Sequence, residues 1–121
     1  MTHTIDLYWS FRSPYSFLAS KPALALRKEW GVDINVKIVY PLAIRQPSFF
    51  DSRGAEWMGY TLRDVVRLAE MSGQTLAMPR PDPIITDMKT GTFARQQPYV
   101  ERLSRLGILA SEAGKGLEFI D

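Results

Sequence analysis

The residues with the most chemical promise lie together in SFRSPYSFL, Ser10 to Leu18. They follow a short apolar segment, IDLYW, and lead into a helix-like one, so Ser13-Pro14-Tyr15-Ser16 sits where a strand hands over to a helix. Serine followed by proline is the expected cap and first-turn pair there: the hydroxyl accepts an orphan N–H, and proline has none to leave unpaired. The same geometry suits a visiting anion. Free N–H groups and about half a positive charge gather at a helix start, and a serine hydroxyl there can donate to a thiolate. Cap and anion site are both open readings of Ser13, and they are compatible.

The 121 residues contain no cysteine, which excludes thiolate catalysis by the chain itself, disulfides, Cys-ligated zinc and iron–sulfur clusters. In a thiol-dependent reaction the sulfur then comes from a bound cofactor. The single histidine is His3, close to a terminus where chains are poorly ordered, so a Ser-His pair is a poor reading and His3 is taken as uninvolved. No Asp-rich loop or GxxxxGK[ST] phosphate loop occurs, and no metal site is expected.

A composition of 45% hydrophobic and 23% charged residues predicts one soluble globular domain able to bury a core. The net charge of +2 is spread without like-charge runs, so neither nucleic acid nor a membrane surface is an expected partner. No apolar run approaches the roughly 20 residues of a membrane span, and MTHTIDLYW lacks a secretory pattern. The expected location is the cytoplasm.

Two strands must position the motif. Ile5, Leu7 and Trp9 alternate with Asp6 and Tyr8, while Ile34, Val36 and Ile38 alternate with Asn35, Lys37 and Val39. Between them, SPYSFLASKPALALRKEW carries Phe17, Leu18, Leu24 and Leu26 and closes at Gly31. This is a strand–helix–strand unit, whose strands should be parallel and whose crossover should be right-handed. Pro22 predicts either a kink or a second helix start capped by Ser20.

Further along, PLAIRQPSFFDSRG reads as a loop with an exposed Phe49-Phe50 pair. AEWMGYTLRDVVRLAEMSG is the strongest helix, with Met58, Leu62, Val65 and Ala69 as its buried face and Gly73 at its end. A second face carries Trp57, Tyr60, Asp64, Leu68 and Met71. QTLAMPRPDPII is an extended, proline-rich connector. A third helix starts at Pro98, places Tyr99, Leu103, Leu106 and Ala110 on one face, and ends near Gly114; GLEFID reads as the first turn of another.

The stretch IDLYWSFRSPYSFLA resembles the opening of the 2-hydroxychromene-2-carboxylate isomerase family and its relatives, the kappa-class glutathione transferases. The resemblance covers essentially the whole chain. It includes the strand–helix–strand order, Pro41 at the loop turn, Tyr60-x-x-x-Asp64 in a helix, the MPRPDP connector and the Gln97-Pro98-Tyr99 helix start. It implies an α/β, thioredoxin-like (disulfide oxidoreductase-like) fold. Residues 1–45 would be its N-terminal β-α-β half and 46–121 the start of an inserted, incomplete all-helical region. The C-terminal sheet half of the family, with its cis-proline loop, has no counterpart, so the expectation is an N-terminal part of a longer enzyme or a truncated product, inactive in isolation. An asparagine that some members use for glutathione has no counterpart in PSFFDSRG.

The resemblance implies a glutathione-dependent cis/trans isomerase of the 2-hydroxychromene-2-carboxylate type, acting in aromatic compound degradation. Ser13 would be the catalytic donor to the glutathione thiolate. Ser13, Pro14, Tyr15 and Asp64 would hold the cofactor, and Phe11, Arg12, Trp57 and Tyr60 a small aromatic oxo-acid substrate, in a homodimer. Blander readings stand beside these. Arg12 suits a solvated loop, Asp64 an i, i+3 pair with Arg67, and Tyr60, Trp57 and Phe49-Phe50 a core or interface. Two alternative functions are a kappa-like glutathione transferase and an inactive fragment acting only through protein–protein association.

Overall fold

The computed structural model describes residues 2–87 and 89–121. Strand β1, Thr4–Trp9, pairs in parallel with β2, Asp33–Ile38, in register from Thr4 opposite Asp33 to Trp9 opposite Ile38. Helix α1, Pro14–Trp30, connects them. The chain is mixed α/β: a two-stranded parallel sheet followed by α2 (Leu42–Arg45), α3 (Ser48–Asp51), α4 (Ala55–Ser72), α5 (Pro98–Glu112) and α6 (Gly116–Ile120). Among the described residues, no helix is long and apolar enough to cross a membrane.

The strand alternation gives the sheet one packed face and one wet one. Trp9 and Val36 are buried and join Leu117 and Ile120 of α6 in the main core, flanked by Leu7, Phe11, Ala23, Leu24, Ile34 and Ile38. Asp6, Tyr8, Asn35 and Lys37 face water, with Asn35 Nδ2 donating to Asp6 Oδ1 across the strands at 3.2 Å. A smaller cluster of Leu18, Val65 and Ala69, with Leu76 against it, joins α1 to α4.

Helix α1 runs unbroken through Pro22, with no second start at Ser20. Proline cannot donate to the carbonyl one turn back, which belongs to Leu18. Gln74 Nε2, from just beyond α4, donates to that carbonyl at 3.0 Å. Ser20 is buried inside the helix, and its Oγ accepts the Trp9 indole N–H at 3.3 Å. At the end of α1, Gly31 adopts a left-handed conformation (φ 64°) and its N–H returns to the Arg27 carbonyl.

Three expectations are corrected. On α4, Val65 and Ala69 are buried, but Met58 and Leu62 are exposed, because α4 packs only its later turns against α1. On α5 the buried face is Val100, Ser104 and Gly107, while Tyr99 and Leu106 face outward. This face is small because the helix lies close to the sheet: a Cβ on Gly107 would stand 3.0 Å from Ile38 Cγ1 and 3.2 Å from Phe11 Cε2. Ser111 Oγ, one turn on, donates to the Val36 carbonyl at 2.5 Å. Third, the segment read as a loop after Tyr40 contains α2 and α3, and Phe49 and Phe50 are half-buried in an aromatic cluster with Trp57 and Phe93.

Candidate functional site

From the end of β1 the chain enters α1 through Ser10–Ser13, a four-residue turn in which Ser13 N–H donates to the Ser10 carbonyl at 3.4 Å. Arg12, its third residue, has φ 83°, the one non-glycine with positive φ among the described residues. That position and φ match a type II turn, where glycine is usual. A side chain held there costs about 1–2 kcal/mol.

Ser13 follows in an extended conformation (φ −78°, ψ 120°) and caps α1, its Oγ accepting the Ser16 N–H at 3.2 Å, with Pro14 in the first turn. Ser16 Oγ in turn accepts the Ser10 N–H at 3.3 Å, tying both arms of the turn together. The cap bond uses a lone pair of Ser13 Oγ and not its proton. The hydroxyl can therefore cap the helix and donate outward at once, beside N–H groups that the first helical turn leaves without intrahelical acceptors.

Tyr15, one turn-position on, reaches across to α4, where its hydroxyl donates to Asp64 Oδ2 at 2.6 Å. That bond holds the phenolic proton; with slight desolvation and the charge of Asp64 it pushes the Tyr15 pKa from 10.0 up to about 12. Asp64 thus finds its partner in Tyr15, and among the described residues no ion pair with Arg67 forms. Two residues proposed from sequence to hold a cofactor are in direct contact, from separate helices.

The four candidates for substrate contact are dispersed. Phe11 turns inward, its ring edge-on to Trp9 (4.8 Å between centroids) and Phe119 (6.1 Å). Tyr60 lies one turn before Asp64 on α4 and is exposed. Trp57 packs elsewhere, against Phe49 and Phe50, with the Arg53 guanidinium over Phe49 at 4.5 Å. Arg12 forms an ion pair, its Nε donating to Asp82 Oδ1 at 2.9 Å.

Asp82 is the residue that sequence reasoning missed. It lies in PRPDP, read only as a connector. Its Oδ1 also accepts the Ile84 N–H at 3.0 Å, the side-chain-to-backbone bond two residues on that aspartate forms in turns. An aspartate between prolines is the signal that was there to find. The loop beyond is anchored by Gln97, almost fully buried, whose Oε1 accepts the Ile85 N–H at 2.8 Å and whose Nε2 donates to the Ile85 and Ala94 carbonyls.

Surface hollows lie along α4 (Leu62, Arg63, Val66, Arg67, Glu70) and between α1 and the end of α4 (Phe17, Lys21, Pro22, Gln74, Thr75). Neither is lined by residues 11–16; in the turn itself Ser10 is buried, and Phe11, Arg12 and Ser13 are half-buried. Compared with known proteins, the chain matches no family model, no curated protein and no solved structure.

Proposed function

We propose that this chain carries the thiol-stabilising half of a glutathione-dependent cis/trans isomerase of the 2-hydroxychromene-2-carboxylate type, on a thioredoxin-like β-α-β unit. The observation that carries the reading is the geometry of Ser13. Its Oγ accepts the Ser16 N–H at the head of a 17-residue helix that directly follows a parallel strand, which leaves its proton free to donate. Ligands of parallel α/β units gather at the carboxyl ends of strands, where this turn lies.

The residues present fit glutathione by the chemistry of their donors. Ser13 Oγ–H and the Tyr15 N–H suit a thiolate, and the Asp64 carboxylate, with Oδ2 engaged by Tyr15, has Oδ1 to meet an ammonium group. When bound, glutathione supplies the thiol that adds reversibly to a conjugated carbon, so that a double bond can turn before it is restored. The chain's part is to hold the thiol deprotonated, through the Ser13 hydroxyl and the positive end of α1, and to orient the acid substrate against it.

Calorimetric titration with glutathione, followed by turnover of a hydroxychromene carboxylate, tests the reading in a form of the chain extended by the C-terminal sheet half that the family resemblance implies. Expected are binding, geometric interconversion without consumption of glutathione, and a drop of about 100-fold in turnover for Ser13→Ala, the usual effect of removing one donor to a reacting anion. Stable conjugation to a chlorinated aromatic, with no interconversion, would replace the isomerase by a transferase. Turnover untouched by Ser13→Ala would remove Ser13 from the chemistry.

A further inference from the structure

Arg12 occupies a backbone conformation that disfavours every residue with a side chain, yet it carries one of the longest. Such an outlier persists only where surrounding contacts hold it. The contact here is the Asp82 carboxylate, which takes Arg12 Nε at 2.9 Å. Asp82 is itself held, since the same Oδ1 accepts the Ile84 N–H, and Ile84 and Pro83 are buried. From Ile85 the chain of bonds continues through the Gln97 side chain to the head of α5. Two sets of hydrogen bonds, joined covalently at Ile84-Ile85, therefore link the head of α5, through the connector, to the turn that presents Ser13.

We infer that Asp82 is a positioning residue of the Ser13 site: by fixing Arg12 it keeps the Ser10–Ser13 turn in the geometry that aims the Ser13 side chain out from the head of α1. The inference rests on the reading of Ser13 given above and adds a residue from outside the strand–helix–strand unit. Its action is geometric. Paired with Arg12, Asp82 contributes little net charge to the turn, and its deletion releases the guanidinium to water, where a partly exposed ion pair is worth little. The loss falls on the turn, whose remaining ties are the Ser13 N–H on the Ser10 carbonyl, the Ser10 N–H on Ser16 Oγ and the packing of Phe11, none of which engages the Arg12 side chain.

The absence of cysteine makes a direct test possible, because Ser13→Cys places a single reporter thiol at the cap. Its pKa, read from the pH dependence of alkylation, is expected below the free value of about 8.5, as for thiols at helix starts. Adding Asp82→Ala should raise it by roughly half to one unit, a fall of about two- to fivefold in thiolate fraction at neutral pH for a reporter that starts near pH 7. Adding Asp82→Asn, which keeps an acceptor for Arg12 Nε and the Ile84 N–H, should not raise it. A purely electrostatic role has the opposite sign, since removing a negative charge lowers a thiol pKa. A fall or no change in Asp82→Ala, or an equal rise in both variants, overturns the inference. A reporter thiol with an ordinary pKa overturns it together with the thiolate role of Ser13. A depressed reporter pKa combined with no glutathione binding even by the C-terminally extended chain overturns the glutathione reading alone and leaves the role of Asp82 standing.

Discussion

The side-chain amide of Gln74 donates to the Leu18 carbonyl, the one helical acceptor in α1 that Pro22 cannot serve. The bond spans 56 positions of sequence and fastens the residue just beyond α4 to the second turn of α1. Gln74→Ala is expected to cost about 1 kcal/mol or somewhat more in urea unfolding, since it strands a half-buried carbonyl. In a Pro22→Ala background the cost should shrink, because alanine restores the missing N–H. Equal costs in the two backgrounds would show that Gln74 does not answer the proline.

Cap and chemistry at Ser13 separate by substitution. Ser13→Ala removes the bond to the Ser16 N–H and is expected to lower stability by about 1 kcal/mol. Ser13→Asp retains a capping oxygen and adds a negative charge that the helix start favours, so thermal stability should hold. The same charge repels a thiolate, so thiol-dependent turnover should be lost in both variants. If the aspartate variant unfolds as early as the alanine one, the cap assignment is wrong.

The Tyr15–Asp64 bond carries a pH signature. Its folded pKa, about 12, lies above the unfolded 10.0, so the neutral phenol is the form that folding favours. The stabilisation is complete below pH 10 and disappears as pH rises through 12. The difference in unfolding free energy between the unmodified chain and Tyr15→Phe should therefore be flat up to pH 10 and narrow above it. Tyr15 is part-exposed, so solvent screening keeps the absolute difference small. A gap that ignores pH would mean the phenol keeps no hold on Asp64.

Two glycines should differ in their tolerance of alanine. A Cβ on Gly116 would stand 2.9 Å from Val36 Cβ, which is fixed in a strand and buried, so Gly116→Ala is expected to lose about 1–3 kcal/mol. A Cβ on Gly107 would stand 3.0–3.2 Å from side-chain atoms of Ile38 and Phe11, contacts less severe than that at Gly116, and alanine gains about 1 kcal/mol of helix propensity there to set against them. Thermal unfolding should rank Gly116→Ala well below Gly107→Ala.

What the sequence disclosed was local in range. Alternation in Ile5–Trp9 and Ile34–Ile38, the Ser13-Pro14 start and the Gly31 end were legible, because each depends on neighbours a few positions away. The α5 face was misread because hydropathy weights Leu106 and Tyr99 over Ser104 and Gly107, whereas close approach to β2 selects for small size. Helical spacing placed Met58 and Leu62 in line with Val65 correctly, but spacing says nothing about how far along the helix a neighbour extends. At the site, Tyr15 and Asp64 were both singled out without their bond, and Asp82 was passed over. Those pairings join positions 49 and 70 residues apart, beyond the reach of any periodic pattern.

The Trp9 indole N–H is shared between the Ser16 carbonyl at 2.7 Å and Ser20 Oγ at 3.3 Å, two acceptors one helical turn apart. A single rigid ring at the end of a strand thus grips α1 at two heights. The helix cannot spin about its own axis or slide along it without breaking that double grip, so Trp9 acts as a phase pin for everything mounted on the first turns. The compass bearing of the Ser13 hydroxyl is thus set four residues upstream, by a side chain outside the turn.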